Sequence, residues 1–166
     1  ANAATVIPAC DSGDGRLHVV PANLIATSHR ALEAAGRTAQ LRQLLAVVPD
    51  AVVHEPLPAI PALADEGAAN HTRLQVGEAA VHIFTWGRSG DPHPAADGPC
   101  RHPARQSRLA QEQVARLAGL PVERRCFVRQ SPQAIDAGAF HNDVVMVGSG
   151  DRMLIHAAAW CDQPRE

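Results

Sequence analysis

A histidine and an aspartate stand directly before an apolar run in the stretch FHNDVVMV, residues 140–147. If this stretch is extended, His141 and Asp143 project from one face of a strand, because side chains at i and i+2 share a face. Polar groups at the edge of a core cost free energy unless they are paired or used. This pair would place a proton carrier beside a carboxylate, which suits acid–base chemistry on a polar, cationic group.

A second polar stretch, DEGAANH, occupies residues 65–71. Asp65 and Glu66 lead into Gly67, which permits unusual dihedral angles or the close approach of a ligand. A carboxylate at such a turn can bind a planar cation through two parallel hydrogen bonds. A third polar stretch, SHR, spans residues 28–30.

Each short motif also has an ordinary explanation. A single His-x-Asp pair or Asp-Glu-Gly turn occurs often by chance, as a surface or hydrogen-bonded polar group. A zinc site could be built from His29, His71, His141 and Asp143, but no tight ligand spacing favours one, and we expect no metal. We expect ordinary packed or exposed roles for His18, His54, His82 and His156, and surface or structural ion pairs for Arg73 and Arg129.

Composition narrows the class of protein. The 166 residues are 46% hydrophobic, enough for the core of one domain. A net charge of −2 and an aromatic content of 3% argue against nucleic acid and anionic membranes as partners. No secretory signal or membrane-spanning stretch is present, and the four cysteines lack metal-ligand spacing, so we expect a cytoplasmic protein with free thiols.

Strand-like and helical segments alternate along the chain, which predicts an α/β fold. The order is typical of repeated ββαβ units: strands at AATVIPA and RLHVVPA, a helix ended by Pro49, then a strand at AVVHEPL. The segment LADEGAANHTRL follows a proline-rich loop, and the next predicted strand is AAVHIFTWG. After it we expect a helix with a Leu109, Val114 and Leu117 stripe, strands at RCFVRQ, DVVMVG and RMLIHAAA, and a helical turn capped by Ser131.

Five motifs together carry a more specific signal: ANAATV, SHRALEA, DEGAANHTRL, HPARQS and IDAGAFHNDVV. Their order and separations resemble those of the N-succinylarginine dihydrolase family, within the guanidine-modifying (pentein, amidinotransferase-like) superfamily. The resemblance spans nearly the whole chain but only a middle portion of the family's length. It implies a five-bladed α/β propeller of ββαβ units. Residues 1–166 would be a single partial domain of about two to three units, a piece of a longer chain.

The resemblance also implies a reaction and roles for individual residues. The small-molecule substrate would be N2-succinylarginine, from which both terminal guanidinium nitrogens are removed without a metal or organic cofactor. Glu66 matches the catalytic carboxylate that orients the guanidinium, His141 the general acid and base, and Asp143 a substrate-binding carboxylate. Four residues would bind the rest of the substrate: Asn2, His29, Arg30 and Arg105. The full-length enzyme would be a homodimer.

One part of the expected site is missing. The family's nucleophilic cysteine lies downstream of the histidine motif, and we expect structural or incidental roles for Cys10, Cys100, Cys126 and Cys161. The chain alone should therefore be inactive, and the loop 87–103 also departs from the family in length and composition. Two alternatives stay open: another guanidine hydrolase, similar to an arginine or agmatine deiminase, and a non-catalytic truncated protein that binds small anions or a partner subunit.

Overall fold

The first ββαβ unit is a three-stranded sheet with one crossover helix. Strand β1 (Ala4–Ile7) pairs antiparallel with β2 (His18–Pro21) through a turn over residues 8–17. Helix α1 (Ser28–Leu45) then returns the chain to β3 (Val52–Val53), which lies parallel to β2. The structure is a computed structural model and describes residues 3–90 and 98–161.

The second unit repeats this strand order. Strand β4 (His71–Val76) pairs antiparallel with β5 (Ala79–Trp86), and α2 (Arg108–Leu117) leads to β6 (Arg125–Arg129), which lies parallel to β5. The predicted mixed α/β class is confirmed. Strand β4 is an element that the sequence analysis missed. In HTRLQV polar residues alternate with Thr72, Leu74 and Val76, but the stretch was assigned to the segment that follows the proline-rich loop.

A short helix and a hairpin complete the described residues. Helix α3 (Pro132–Asp136) begins after Ser131, whose hydroxyl accepts a hydrogen bond from the Ala134 N–H, so the predicted cap is confirmed. Strands β7 (Met146–Ser149) and β8 (Arg152–Ile155) form an antiparallel pair. Four 3-10 turns connect the elements, over Pro61–Leu63, Gly67–Asn70, Val122–Arg124 and Asn142–Val144.

The extended conformation predicted for HNDVV is wrong. Residues Asn142–Val144 form a 3-10 turn, and strand β7 starts only at Met146. A 3-10 helix has three residues per turn, so residues two positions apart point in different directions. His141 and Asp143 therefore do not share a face as they would on a strand. His141 is half-buried, whereas Asp143 is exposed.

The main core lies between the two units and includes α2. Its buried members come from both sheets, from this helix and its C-terminal end, and from the proline-rich loop: Ile7, Val20, Leu57, Phe84, Ala110, Val114, Ala115, Ala118 and Leu120. The predicted stripe of α2 is right only for Val114. Leu109 and Leu117 are 37% and 41% exposed, because small Ala side chains let the helix approach the sheets along another line.

Helix α1 contributes little to this core. Ala34 and Thr38 are buried, but Leu32 and Leu44 are 85% and 71% exposed. None of the helices within residues 3–90 and 98–161 is long and apolar enough to cross a membrane.

Candidate functional site

Glu66 lies at the end of the proline-rich loop, just before the 3-10 turn Gly67–Asn70. Gly67 has a φ of 64°, a left-handed conformation that glycine adopts without steric cost. The Glu66 N–H donates to Gln106 Oε1 over 2.7 Å, and the Asp65 N–H donates to Asn23 Oδ1 over 3.0 Å. Side-chain amides from two distant segments therefore fix the backbone that carries the carboxylate.

One oxygen of the Glu66 carboxylate has two partners. Glu66 Oε2 accepts a hydrogen bond from Arg30 Nη1 over 2.5 Å and lies 2.8 Å from His141 Nε2. The Glu66 side chain is fully buried, and those of Arg30 and His141 are only 16% and 17% exposed. Burial works to raise the pKa of Glu66, but the hydrogen bonds from His141 and Arg30 outweigh it and lower the pKa. The carboxylate is therefore kept ionised.

The other Glu66 oxygen is the most informative atom of the site. Oε1 is buried and has no hydrogen-bond partner among the described residues. An unpaired buried acceptor on an ionised group costs free energy, and a cationic N–H donor would remove that cost. The site can thus receive one donor of a bound cation at Oε1 while Oε2 stays paired.

Asp65 beside it has a different environment. Its Oδ1 accepts a hydrogen bond from the Gly67 N–H over 3.0 Å, and its Oδ2 is buried without a partner in the described residues. Burial raises the pKa of Asp65 to about 6, with a further contribution from the charge of Glu66, although the Gly67 hydrogen bond and the nearby Gln106 amide oppose the shift. Two adjacent carboxyls thus have pKa values moved in opposite directions.

Two asparagines join the Glu66 turn to the His141 turn. Asn70 Oδ1 accepts a hydrogen bond from the Asn142 N–H over 3.0 Å, and Asn142 Oδ1 accepts one from Trp160 Nε1 over 3.1 Å. Both asparagines are buried, so this connection is shielded from water. The sequence analysis did not single out Asn70, Asn142 or Gln106. The only indication in the sequence was that all three lie within the quoted motifs.

The first turn of α1 brings one predicted residue to the site. Arg30 reaches Glu66, whereas the adjacent His29 is exposed and makes no side-chain hydrogen bond within the described residues. Arg105 lies before helix α2 and not within it. Ser107 caps that helix, with its hydroxyl accepting from the Ala110 N–H, and Arg105 precedes it.

Arg105 instead packs on the residue before His141. Its guanidinium carbon lies 4.6 Å from the centroid of the Phe140 ring, a cation–π contact. Asp143 makes no side-chain hydrogen bond or ion pair among the described residues and lies against the apolar face of the β7–β8 hairpin. Asn2, the remaining predicted residue, lies outside the described residues.

A second polar cluster joins side chains of β4 and β5 to Asp11. His82 Nε2 lies 3.1 Å from Asp11 Oδ2, and His82 Nδ1 lies 2.9 Å from His71 Nε2. Asp11 also pairs with Arg73 and Arg124. Burial works to raise the pKa of Asp11, but its hydrogen bonds with Arg73 and His82 lower it, so it stays ionised.

Both imidazoles of this cluster are neutral. Burial lowers the pKa of His71 to about 3, with help from His82, and burial also lowers the pKa of His82. With Asp11 accepting at His82 Nε2, the His82 Nδ1 atom accepts the His71 Nε2–H. Arg73 thus belongs to a structural ion pair, one of its two predicted roles. The sequence analysis did not single out Asp11.

The cysteines stand apart from the carboxylate site. None of the four hydrogen-bonds to Glu66 or His141 in the described part of the chain, and all four thiols are free. Burial raises the pKa of Cys126, which disfavours the reactive thiolate. No group of three or more metal-ligating side chains is found among residues 3–90 and 98–161.

Comparison with known proteins gives one consistent result. A family model described as succinylarginine dihydrolase matches residues 1–166. The chain is 47% identical over 163 residues to the N-succinylarginine dihydrolase of Myxococcus xanthus, covering 98% of this chain and 37% of that protein. It is 44% identical to the N-succinylarginine dihydrolase of Burkholderia thailandensis, with 98% and 36% covered. The chain therefore spans little more than a third of the length of these relatives.

Proposed function

Since this chain belongs to the succinylarginine dihydrolase family, we propose that the whole enzyme hydrolyses the guanidinium group of N2-succinylarginine. Two waters are consumed, both terminal nitrogens leave as ammonia, the central carbon leaves as carbon dioxide, and N2-succinylornithine remains. The reaction would serve arginine catabolism. It needs a site that binds a guanidinium, moves protons and supplies a nucleophile.

The unpartnered Oε1 of Glu66 is the observation that carries this proposal. A guanidinium is a planar cation with N–H donors in a fixed fork, which matches a buried, ionised carboxylate. The donor that binds Oε1 would satisfy the buried acceptor and orient the central carbon for attack. The low pKa of Glu66 supports this role, because only the ionised form binds the cation.

His141 is proposed to transfer the protons. Its Nε2 is held by Glu66, and its Nδ1 makes no hydrogen bond among the described residues. In the proposed cycle, the protonated imidazole gives its proton to the leaving amine, which departs as ammonia. The neutral imidazole then accepts a proton from the water that attacks the covalent intermediate, and it is ready for the second ammonia.

The nucleophile is proposed to be a cysteine thiolate elsewhere in the whole protein. Thiolate addition to the central carbon would form the covalent intermediate, and a cation bound beside the sulfur favours the ionised thiol. Residues 1–166 alone are accordingly proposed to be inactive. Ammonia release by this isolated chain would contradict that part of the proposal.

The anionic end of the substrate is proposed to meet basic side chains. Arg30 uses one amino group on Glu66, and its other donors make no hydrogen bond among the described residues, which supports contact with a substrate carboxylate. His29, Arg105, Asn2 and Asp143 are kept as proposed substrate-binding residues. The exposure of Asp143 means that it would have to approach the substrate from outside the Glu66 pocket.

The wider architecture is also a proposal. Two ββαβ units of identical strand order, followed by a hairpin with the geometry of a third unit's first two strands, support a partial domain of a five-bladed propeller. The exposed leucines of α1 support a contact between this helix and further protein, and we propose a cytoplasmic homodimer for the whole enzyme. Light scattering on the purified enzyme tests the dimer.

The decisive experiment compares substrates. The full reading frame that contains this chain is expressed, and ammonia release is measured with N2-succinylarginine, arginine and agmatine. We expect a clear preference for N2-succinylarginine in kcat/KM. A preference for arginine or agmatine would contradict the proposed substrate, and an unchanged rate in His141→Ala would contradict the proposed site.

A further inference from the structure

Three consecutive backbone N–H groups at the Glu66 turn each donate to a side-chain oxygen. The Asp65 N–H donates to Asn23 Oδ1 over 3.0 Å, and the Glu66 N–H donates to Gln106 Oε1 over 2.7 Å. The Gly67 N–H donates to Asp65 Oδ1 over 3.0 Å. All five residues are buried, so water does not compete for these hydrogen bonds. The backbone on both sides of Glu66 is thus fixed by side-chain oxygens.

The turn holds two residues in sparsely populated backbone conformations. Glu66 has a φ of −106° and a ψ of 8°, between the α and β regions, where many active-site residues are found. Gly67 follows with a φ of 64°. Such conformations persist only where the surrounding contacts hold them. The hydrogen bond from the Gly67 N–H to Asp65 Oδ1 encloses Glu66 between its two ends, as in an Asx-turn, and so holds this conformation directly.

The Asp65 side chain has a narrower set of contacts than the other two acceptors. Asn23 and Gln106 each donate to further backbone carbonyls, so they hold more than this turn. Asp65 Oδ2, by contrast, is buried without a hydrogen-bond partner among the described residues. Burial raises the pKa of Asp65, which means that its surroundings do not favour the charged form. The hydrogen bond with the Gly67 N–H is therefore the contact that explains a carboxyl group at this position.

The partners of Glu66 cannot replace the turn. Glu66 Oε2 lies 2.8 Å from His141 Nε2 and accepts a hydrogen bond from Arg30. Arg30 belongs to α1 and His141 precedes the 3-10 turn Asn142–Val144, so both partners come from other parts of the fold. If the Glu66 turn relaxes, the carboxylate moves away from both of them. A displacement of about 1 Å can lower the rate of a catalysed reaction by about 100-fold.

We propose that Asp65 is a positioning residue of the reaction, which directs Glu66 towards its partners by holding the Gly67 N–H. The proposal rests on the proposed function. The role requires an acceptor oxygen and not a charge, because the bond that matters is made by Oδ1 to a neutral backbone N–H. Asparagine at position 65 keeps this acceptor, whereas alanine removes it.

The test compares Asp65→Ala with Asp65→Asn in the full-length enzyme, by ammonia release from N2-succinylarginine. We expect kcat/KM to fall about tenfold or more in Asp65→Ala and to stay within about threefold of the wild type in Asp65→Asn. His82→Leu is the matched control for lost stability, because it also removes buried hydrogen bonds but none to Glu66. It should keep the wild-type kcat/KM.

A further variant keeps the test valid if Asp65→Ala fails to fold. Gly67→Ala disturbs the same turn by another route, because a φ of 64° is strained for alanine, and its kcat/KM should also fall. Three outcomes overturn the proposal: wild-type kcat/KM in Asp65→Ala or in Gly67→Ala, a loss in Asp65→Asn as large as in Asp65→Ala, or an equal loss in His82→Leu.

Nuclear magnetic resonance reports the position of His141 without turnover. The ring Cε1–H signal of His141 is identified by its loss in His141→Gln. We expect this signal to move in Asp65→Ala and to keep its wild-type position in Asp65→Asn. If the wild type releases no ammonia but the signal behaves in this way, the proposed function fails and the assignment of Asp65 stands. If the wild type is active but the signal does not move in Asp65→Ala, the assignment of Asp65 alone fails.

Discussion

His141 Nε2 lies 2.8 Å from Glu66 Oε2 although 75 positions separate the two residues in the sequence. The contact is made by two 3-10 turns, Gly67–Asn70 and Asn142–Val144, which belong to different parts of the fold. Because the Glu66 carboxylate is buried and ionised, it holds the imidazole at a fixed place. The same carboxylate keeps Oε1 for a ligand.

Replacing Glu66 by Gln should abolish most activity. The amide keeps the size of the side chain but loses the negative charge that would bind a guanidinium. We expect the rate of ammonia release to fall by at least about 100-fold, in the range usual for loss of an acid–base partner. Glu33→Gln, on the exposed surface of α1, is the control and should retain full activity. Equal rates in wild type and Glu66→Gln would exclude Glu66 from the site.

Asp65 should make stability depend on pH in an unusual direction. Its folded-state pKa of about 6 is raised above the ordinary 3.8, so the folded state binds the proton more tightly than the unfolded state. The contribution is complete below about pH 4 and is lost as the pH rises to about 6. At 1.36 kcal/mol per unit, the loss is on the order of 3 kcal/mol.

Urea unfolding between pH 4 and 7 measures this effect. In Asp65→Asn, the free energy of unfolding should no longer show the decline that Asp65 causes in the wild type. The control Asp151→Asn, at an exposed hairpin position, should keep the wild-type pH profile. If the profiles of wild type and Asp65→Asn run parallel, the pKa of Asp65 is not raised.

The sequence indicated both residues of the Glu66–His141 contact, but it did not predict the geometry of the contact. Strand periodicity placed Asp143 beside His141, whereas the chain turns at Asn142 because the Asn142 N–H pairs with Asn70. That hydrogen bond joins residues 72 positions apart, and no local propensity encodes it. Arg30 was predicted to bind the substrate. Its contact with Glu66 again depends on tertiary packing.

The same limit applies to the elements of the fold. Short runs of apolar and β-branched residues identified β1, β2, β5 and β6, whose residues are mostly buried or half-buried. Strand β4 is polar on one face, where His71 and Arg73 join the cluster around Asp11. Its other face carries Thr72 and Leu74, which lie close to Gly148 of β7. The contacts of its polar face with Asp11 join residues about 60 positions or more apart, so the local sequence does not indicate them. Besides this strand, the prediction differed from the structure at DVVMVG, where β7 begins only at Met146.

Asn70 should act as a positioning residue for His141. In Asn70→Ala, the Asn142 N–H loses its acceptor inside the protein, and the turn that carries His141 is no longer tied to the Glu66 turn. We expect kcat to fall about tenfold with little change in KM, because a misplaced acid–base group affects chemistry more than binding. Steady-state kinetics with N2-succinylarginine measure both constants. Gln40→Ala on α1 is the control, and an equal change in kcat and KM would indicate a general structural effect.

The Asp11–His82–His71 cluster should stabilise the fold without taking part in the reaction. His82→Leu removes both hydrogen bonds of the imidazole and leaves the His71 Nε2–H without its acceptor. An unsatisfied buried donor costs about 1–3 kcal/mol, so we expect a loss of that size in the free energy of unfolding at pH 7. His156→Leu, at an exposed position after β8, should cost less than about 0.5 kcal/mol.

The pH dependence separates this cluster from a catalytic one. Burial lowers the pKa of His71 from 6.5 to about 3, so the unfolded state binds the proton more tightly. Its contribution to stability is present above about pH 6.5 and is lost as the pH falls towards 3. In His71→Phe, the free energy of unfolding should fall less steeply over this range than in the wild type, while the pH dependence of kcat is unchanged. A shifted kcat profile would instead place His71 in the reaction, since a histidine that only supports β4 cannot alter the protonation of the reacting groups.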